Sequence, residues 1–228
     1  MSADDPRITA GLAAQAEARE ALLSGGARRL GWKAGFDTAA ALEKLGTRAP
    51  LVGHLTDHTL VTGGHVAIDG WAHPTLEPEL ALRVGADVAP GAGHEEVLAA
   101  IDAIGPAIEL IDLGSADDVE AILAGDIFHR AVLLGELGPL PAGGLGAARL
   151  EVRVDGRPAV RDVDPAELLG DLADLVRALA DQLPLAADRM RAGDVIITGS
   201  AVPALALTGR ERVEVTVAGA ASVAVAIG

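Results

Sequence analysis

Between Pro74 and Val84 the chain alternates Leu76, Leu80, Leu82 and Val84 with Glu77, Glu79, Ala81 and Arg83, a two-residue period that reads as an extended strand. On such a strand Glu77 and Glu79 project from one face, about 6.6 Å apart along it. Two like charges held that close need a compensating cation. A hard divalent ion with oxygen ligands, Mg²⁺ or Mn²⁺, is the natural candidate if another carboxylate arrives from elsewhere in the fold. Glu109, further along the chain, is the candidate third. Acidic residues on the outer face of a strand also serve as solvated edge protection, and Pro78 between the two glutamates suggests an edge or a break in the ladder.

The 228 residues suffice for a sizeable core in one large domain with a small N-terminal appendage. Aromatics are confined to Trp32, Trp71, Phe36 and Phe128, which leaves no stacking platform for single-stranded nucleic acid. A formal charge of −15 without a basic run argues against phosphate backbones and anionic membranes. With no cysteine, disulfides, thiolate catalysis and Cys-ligated zinc are excluded. No apolar run approaches the roughly 20 residues of a membrane span, and the polar N-terminus leaves the cytoplasm as the expected location.

Helical spacing of Ile8, Leu12, Ala16 and Leu23 before Gly25-Gly26 predicts a helix over 8–24, and a second fits 38–45, ended by Gly46. Short segments follow at Pro50–Leu55 and Val66–Ile68, then the glutamate-bearing strand. Val97, Leu98, Ile101 and Ile104 predict an amphipathic helix over 95–104 closed by Gly105-Pro106, with a strand from Ala107 to Leu113. Ser115-Ala-Asp-Asp118 has the form of a helix N-cap with acidic residues in the first turn. Glu151–Val160 reads as a hairpin turning at Asp155-Gly156. Leu168, Leu169, Leu172, Leu175, Val176 and Leu179 predict one amphipathic helix ended near Pro184. The tail gives strands at 194–198, 203–207, 212–218 and 221–227, with turns at Gly209 and Gly219. The expected class is α+β, a strand-rich fold with a few packed helices.

Gly31-Trp-Lys-Ala-Gly35 places Lys33 between glycines in a tight, partly apolar loop, where a lysine can hold an anionic substrate or transfer a proton if its pKa is lowered. Most lysines simply face solvent. Gly193-Asp-Val-Ile-Ile-Thr-Gly-Ser200 runs an apolar strand into a small polar turn, where backbone N–H groups and the hydroxyls of Thr198 and Ser200 can bind a carboxylate, although a plain strand-to-loop junction accounts for the residues equally well. Asp126-Ile-Phe-His-Arg130 brings together His129, a candidate acid/base or orienting donor, and Arg130. His54, His58, His65, His73 and His94 are expected on the surface or in loops.

In this order and spacing, Gly31-Trp-Lys-Ala-Gly35, Leu76-Glu-Pro-Glu-Leu-Ala-Leu82, Gly105-Pro-Ala-Ile-Glu-Leu-Ile-Asp112 and Gly193-Asp-Val-Ile-Ile-Thr-Gly199 resemble the fumarylacetoacetate hydrolase superfamily, in its 2-keto-4-pentenoate hydratase and 2-oxo-3-hexenedioate decarboxylase branch. Glu-x-Glu followed by Pro-Ala-x-Glu is the specific part. The resemblance implies a mixed β-roll of that family's C-terminal-domain type with packed helices, residues 1–48 forming a short helical segment and the Lys33 loop, and 49–228 the catalytic β-roll. It further implies that Glu77, Glu79 and Glu109 ligate Mg²⁺ or Mn²⁺, that Lys33 is the active-site lysine, and that Thr198-Gly199 form the turn near the substrate's carboxylate. Ser200 of that turn is a further candidate substrate contact, and Arg130 and Arg83 are candidates to meet a second carboxylate, a surface or ion-paired place accounting for each arginine equally well. Homo-oligomers are expected, with small 2-oxo acids as substrates and neither nucleic acid nor membrane as partner.

The implied activity is hydration of 2-hydroxy-2,4-dienoates or 2-oxo-alkenoates. Alternatives on the same scaffold are a 2-oxo acid decarboxylase, an acylpyruvate-type C–C hydrolase, or a non-catalytic relative that only binds. Hydrolases of the superfamily use a His-Glu pair from an N-terminal lid, and this chain has no histidine before His54. The chain departs from the family pattern where Asp112 leads into Leu113-Gly114-Ser115 and where Asp126 stands for an asparagine, and these departures bear on substrate choice.

Overall fold

Asp5 accepts a hydrogen bond from the Arg7 amide and Pro6 presets the first turn, so helix α1 (Pro6–Ser24) begins there and ends at Gly25. The computed structural model describes residues 5–217 and 221–228. Strand β1 (Arg29–Gly35) leads to α2 (Ala39–Leu45), capped by the Thr38 hydroxyl and closed by Gly46 at φ 67°. Then come β2 (Leu51–Thr56), β3 (His65–Val66), β4 (Pro74–Val84), α3 (His94–Ala100), β5 (Ile101–Asp112), α4 (Val119–Ala124) and β6 (His129–Leu134). The second half holds the hairpin β7 (Leu150–Val154) and β8 (Arg157–Val163), helices α5 (Ala166–Leu169) and α6 (Leu172–Ala180), and strands β9 (Val195–Ile197), β10 (Leu205–Ala206), β11 (Arg212–Val217) and β12 (Ser222–Ile227).

Seven strands form a curled half-barrel in the order β2, β1, β9, β4, β5, β6, with β10 pairing β4 beyond the end of β9. Five form a second sheet, β3, β12, β11, β7, β8, which packs against β4, β5 and β6. The architecture is α+β. Leu76, Leu80 and Leu82 of β4 and Ile104, Ile108 and Leu110 of β5 are almost fully buried in the main core between these layers. Helix α1 lies on α4, where Gly11 lets the helices approach until a Cβ would touch Leu123. No helix among the described residues is long and apolar enough to cross a membrane.

Several expectations change. The predicted helix over 95–104 stops at Ala100, and Ile101 to Ile104 open β5, because pairing Val84 with Ile101 and Leu82 with Ile104 buries both isoleucines in the sheet. Lys33 lies within β1, not on a loop, and β1 pairs with β2 across the expected boundary after residue 48. The helix expected to run from Leu168 to Pro184 is broken at Gly170 (φ 72°, ψ −153°), and Pro184 sits inside a short 3₁₀ turn. The cap of α4 is Asp118, whose carboxylate accepts from the Ala121 amide, while Ser115 stays outside the helix. The Asp155-Gly156 turn has φ of 51° and 74°, as a two-residue hairpin loop of this hand requires. Gly219 lies outside the described residues.

Nor is β4 an edge strand. It sits between β9 with β10 on one side and β5 on the other. Proline is tolerated because the Pro78 carbonyl, and with it the missing N–H, faces the gap between β9 and β10, where the loop amide of Ala201 donates to it at 3.0 Å.

Candidate metal centre and substrate cavity

Strand pleating and register assemble the carboxylates. Glu77 stands directly opposite Glu109 in the antiparallel β4–β5 pair, and Glu79 projects from the same face two residues on, opposite Ala107. Ligand oxygens of Glu77, Glu79 and Glu109 all lie within 4.8 Å of one another. Along the same row of the sheet, Ala81 pairs with Ile197 and Ile197 with Lys33, so the lysine rises from the site face of β1. Its stem crosses Gly53 of β2. A Cβ at that position would lie 2.6 Å from Lys33 Cγ and 2.7 Å from Asp126 Oδ1, so the crossing requires glycine.

Lys33 Nζ donates to Glu109 Oε1 and, at 3.2 Å, to the Ile127 carbonyl. His129 Nδ1 donates to the same Glu109 Oε1 at 2.6 Å, and its Nε2 meets Thr59 Oγ1 at 2.9 Å. Both side chains thus crowd one oxygen of Glu109. Its other oxygen, Oε2, is buried and unpartnered, as is Oε1 of Glu79, whose Oε2 accepts from the Gly199 amide at 2.9 Å. Buried carboxylate oxygens without donors are costly. Two of them aimed into a cluster of three acids fit a hard divalent ion, which takes oxygen ligands of this kind.

Electrostatics agree with that fit. Burial, and then the charge of Glu109, pushes the Glu77 carboxyl up to about 7. Burial, with Glu109 and Glu77 adding to it, lifts Glu79 well above the carboxylate range. Glu109 moves the opposite way: burial opposes its ionisation, but Lys33 and His129 outweigh burial and hold it below its ordinary value. Lys33 is itself buried, which alone would favour the free amine, yet the charges of Glu109 and Asp126 keep its pKa raised. In the metal-free site, the lowered lysine pKa that proton abstraction would need is therefore not what this environment produces.

A cavity of ≈ 290 Å³ opens against this cluster, lined by Lys33 and Glu77 and by the backbone turn at Gly199-Ser200. Phe36, Ile111, Leu113, Ile127, Phe128, Leu168 and Val202 are the large apolar residues of its remaining wall. Asp126, Ile127 and Phe128 run consecutively at φ of 51°, 53° and 62°. This left-handed run is unfavourable, above all for β-branched Ile127, and it aims the Ile127 carbonyl at Lys33.

Of the residues singled out from sequence, Glu77, Glu79, Glu109, Lys33 and His129 come together, and Gly199 and Ser200 line the cavity. Thr198 does not reach it. Its hydroxyl accepts from the Leu80 amide at 3.3 Å and donates to the Gly199 carbonyl at 3.2 Å, tying the turn to β4. Ser200 Oγ donates to Val202 O at 2.6 Å. Arg130 stands 55 % exposed, 3.5 Å from Asp112, outside the cavity wall, and Arg83 is on the surface with Asp102.

Three contributors escaped the sequence reading. His54, expected on the surface, is buried on β2 with its amide and ring against Asp126; its place inside the apolar run Leu51–Thr56 was the available signal. Thr59, which orients His129, and Asp37, which lines the cavity, carried no local signal. Polar residues just beyond strand ends read as solvated loops.

The profile described as "Fumarylacetoacetate (FAA) hydrolase C-terminal" matches residues 33–227. A 4-oxalocrotonate decarboxylase of Pseudomonas sp is 30 % identical over 189 residues, which cover 80 % of this chain and 72 % of the relative. A 2-hydroxyhexa-2,4-dienoate hydratase of Comamonas testosteroni is 27 % identical over 202 residues, 85 % of this chain and 76 % of the relative. Among solved structures, the 4-oxalocrotonate decarboxylase of Pseudomonas putida G7 complexed with magnesium and adipate superposes with a TM-score of 0.84 at 26 % identity, covering 93 % of this chain and 82 % of that one.

Proposed function

The chain belongs to the fumarylacetoacetate hydrolase family, and from that premise we propose that it is a divalent-metal-dependent hydratase of 2-hydroxy-2,4-dienoates or 2-oxo-alkenoates. The observation that carries this reading is the triad Glu77, Glu79 and Glu109, with two buried oxygens lacking partners, at the wall of a cavity that is otherwise largely apolar. Mg²⁺ or Mn²⁺ held by the three carboxylates would act as a Lewis acid toward the carboxylate and keto oxygens of a 2-oxo acid.

The chain's own residues account for the remaining tasks. Glu77 alone of the three glutamates lines the cavity, so the 2-oxo acid end of the substrate belongs there. An ammonium has three N–H donors, and Lys33 commits two of them to Glu109 and Ile127. The third serves the substrate, favouring negative charge that develops on its 2-oxygen. His129 and Thr59 fix the orientation of Glu109. Phe36, Ile127, Phe128 and Val202 keep bulk water from the hydrocarbon tail.

Hydration is favoured over decarboxylation by the cavity's charges. Among the described residues of its wall Lys33 alone is cationic, and it is paired with Glu109, so none of them is free to pair the second carboxylate of a substrate such as 4-oxalocrotonate. A homo-oligomeric assembly and a cytoplasmic location accompany this reading, and light scattering tests the former.

For the reaction itself, chelator-stripped protein reloaded with Mg²⁺ or Mn²⁺ is given 2-hydroxypenta-2,4-dienoate and, separately, 2-oxo-3-hexenedioate. The diene absorbance of the first should disappear as 4-hydroxy-2-oxopentanoate forms, with no CO₂ released from the second above the metal-only rate. CO₂ release without hydration would replace the hydratase with a decarboxylase. Oxalate binding with turnover of neither compound would leave only a binding protein.

A further inference from the structure

Asp37 is the second residue beyond β1, four after Lys33, and lines the cavity. Its Oδ2 is buried and has no hydrogen-bond partner. That oxygen occupies the space where a Cβ at position 199 would fall, so the carboxylate is seated there only because Gly199 has none. Gly199 itself adopts φ +82° and gives its amide to Glu79, which places Asp37 across the turn from the triad without making it a member.

Charge balance gives this placement a consequence. A divalent ion, three ionised glutamates and the Lys33 ammonium sum to formal neutrality. Asp37 is then a further acid on the wall of a ≈ 290 Å³ cavity whose described lining contains no cation besides Lys33. Burial lifts its carboxyl to about 6, opposed by the backbone N–H groups of Asp37 and Thr38, so it is an anion at pH 7.5. Like charges sharing a small, largely apolar volume repel with little screening.

We propose that Asp37 is a specificity-determining residue that makes the cavity select 2-oxo acids with an uncharged tail and reject those carrying a second carboxylate. The assignment rests on the hydratase reading above and names the feature of the site that sets its substrate class. The first carboxylate of a substrate is matched by the triad's ion; a second finds no counter-charge among the described residues of the wall besides Lys33, already paired with Glu109, and shares the cavity with Asp37.

Two inert ligands of equal length, 2-oxohexanoate and 2-oxoadipate, differ by the terminal carboxylate and test this by titration calorimetry of the Mn²⁺-loaded protein at pH 7.5. The unaltered protein should bind 2-oxohexanoate about tenfold or more tightly than 2-oxoadipate, and Asp37→Asn should bring the two affinities within about threefold of each other. Asp37→Thr, of similar volume and uncharged, should reproduce that ratio and serves as an independent variant. An unchanged preference in both variants, or equal binding of the two ligands by the unaltered protein, overturns the role of Asp37 while leaving the metal-site reading intact. Failure of the Mn²⁺-loaded protein to bind either ligand overturns the 2-oxo acid reading and this assignment together.

Discussion

Glu77 and Glu79 are acids whose folded environment disfavours their charged form until a cation arrives. A carboxyl raised to about 7 in the folded state contributes stability that is present below its ordinary value near 4.5 and is lost as pH rises through 7. Metal-free protein should therefore lose stability between pH 5 and pH 8, and Glu77→Gln should reduce that loss by roughly 2 kcal/mol in urea unfolding. An identical pH dependence in the variant would show that Glu77 is not strained by its neighbours. Lys33 has a different signature. Replacing it with methionine removes the ammonium from the cavity while all three carboxylates remain, so turnover should fall by about 10²-fold or more while Mn²⁺ affinity changes less. Equal loss of both would make the lysine a structural partner of Glu109. The residue types at both positions were legible in the sequence; the pairing of Lys33 with Glu109 was not, because the two are on strands that are not neighbours in the sheet.

Elements were read best where their determinants are local. The Asp155-Gly156 hairpin, the Thr38 and Gly46 limits of α2 and the alternation of β4 all depend on residues within one segment. Errors fell where a distant partner decided the outcome, as when Ile101 to Ile104 joined β5 by pairing with β4. The join of β1 to β9 shows how such partners hold a short parallel contact. Arg29 donates to Asp194 at 2.7 Å and to Asp188 at 2.9 Å, while Trp32 Nε1 reaches Asp194 at 3.1 Å beneath the guanidinium groups of Arg19 and Arg29. Asp194→Ala leaves Arg29 without its main partner and a buried indole N–H without an acceptor. Stability should drop by about 3 kcal/mol, seen as a lower urea midpoint with unchanged slope. A loss below 1 kcal/mol would mean that Asp188 alone suffices to hold the strands, the usual outcome for a screened surface pair being about 0–1 kcal/mol.

At the scale of the whole molecule, the half-barrel and its covering sheet supply the rigid frame that an acid cluster needs. Metal binding to the folded state alone should therefore stabilise the protein: at Mn²⁺ a hundredfold above its dissociation constant the gain is about 2.7 kcal/mol, read as a rise in Tm that a chelator reverses. Glu109→Ala should fold yet show no such rise. An equal rise in that variant would place the ion elsewhere. The sequence by itself determined the α+β class, put Glu77 and Glu79 on one face of a strand, supplied Glu109 on another, and excluded thiol chemistry through its lack of cysteine. Such features follow from composition or from the pleat of a single strand, which orients side chains whatever lies beside it. Only the tertiary structure decided that β4 is central, that Glu77 faces Glu109, that Lys33 crosses Gly53 to reach them, and that Asp37 lines the cavity. Those relations are set by which strands adjoin and in what register. That choice depends on burial summed over the whole core, and no local stretch of the chain records it.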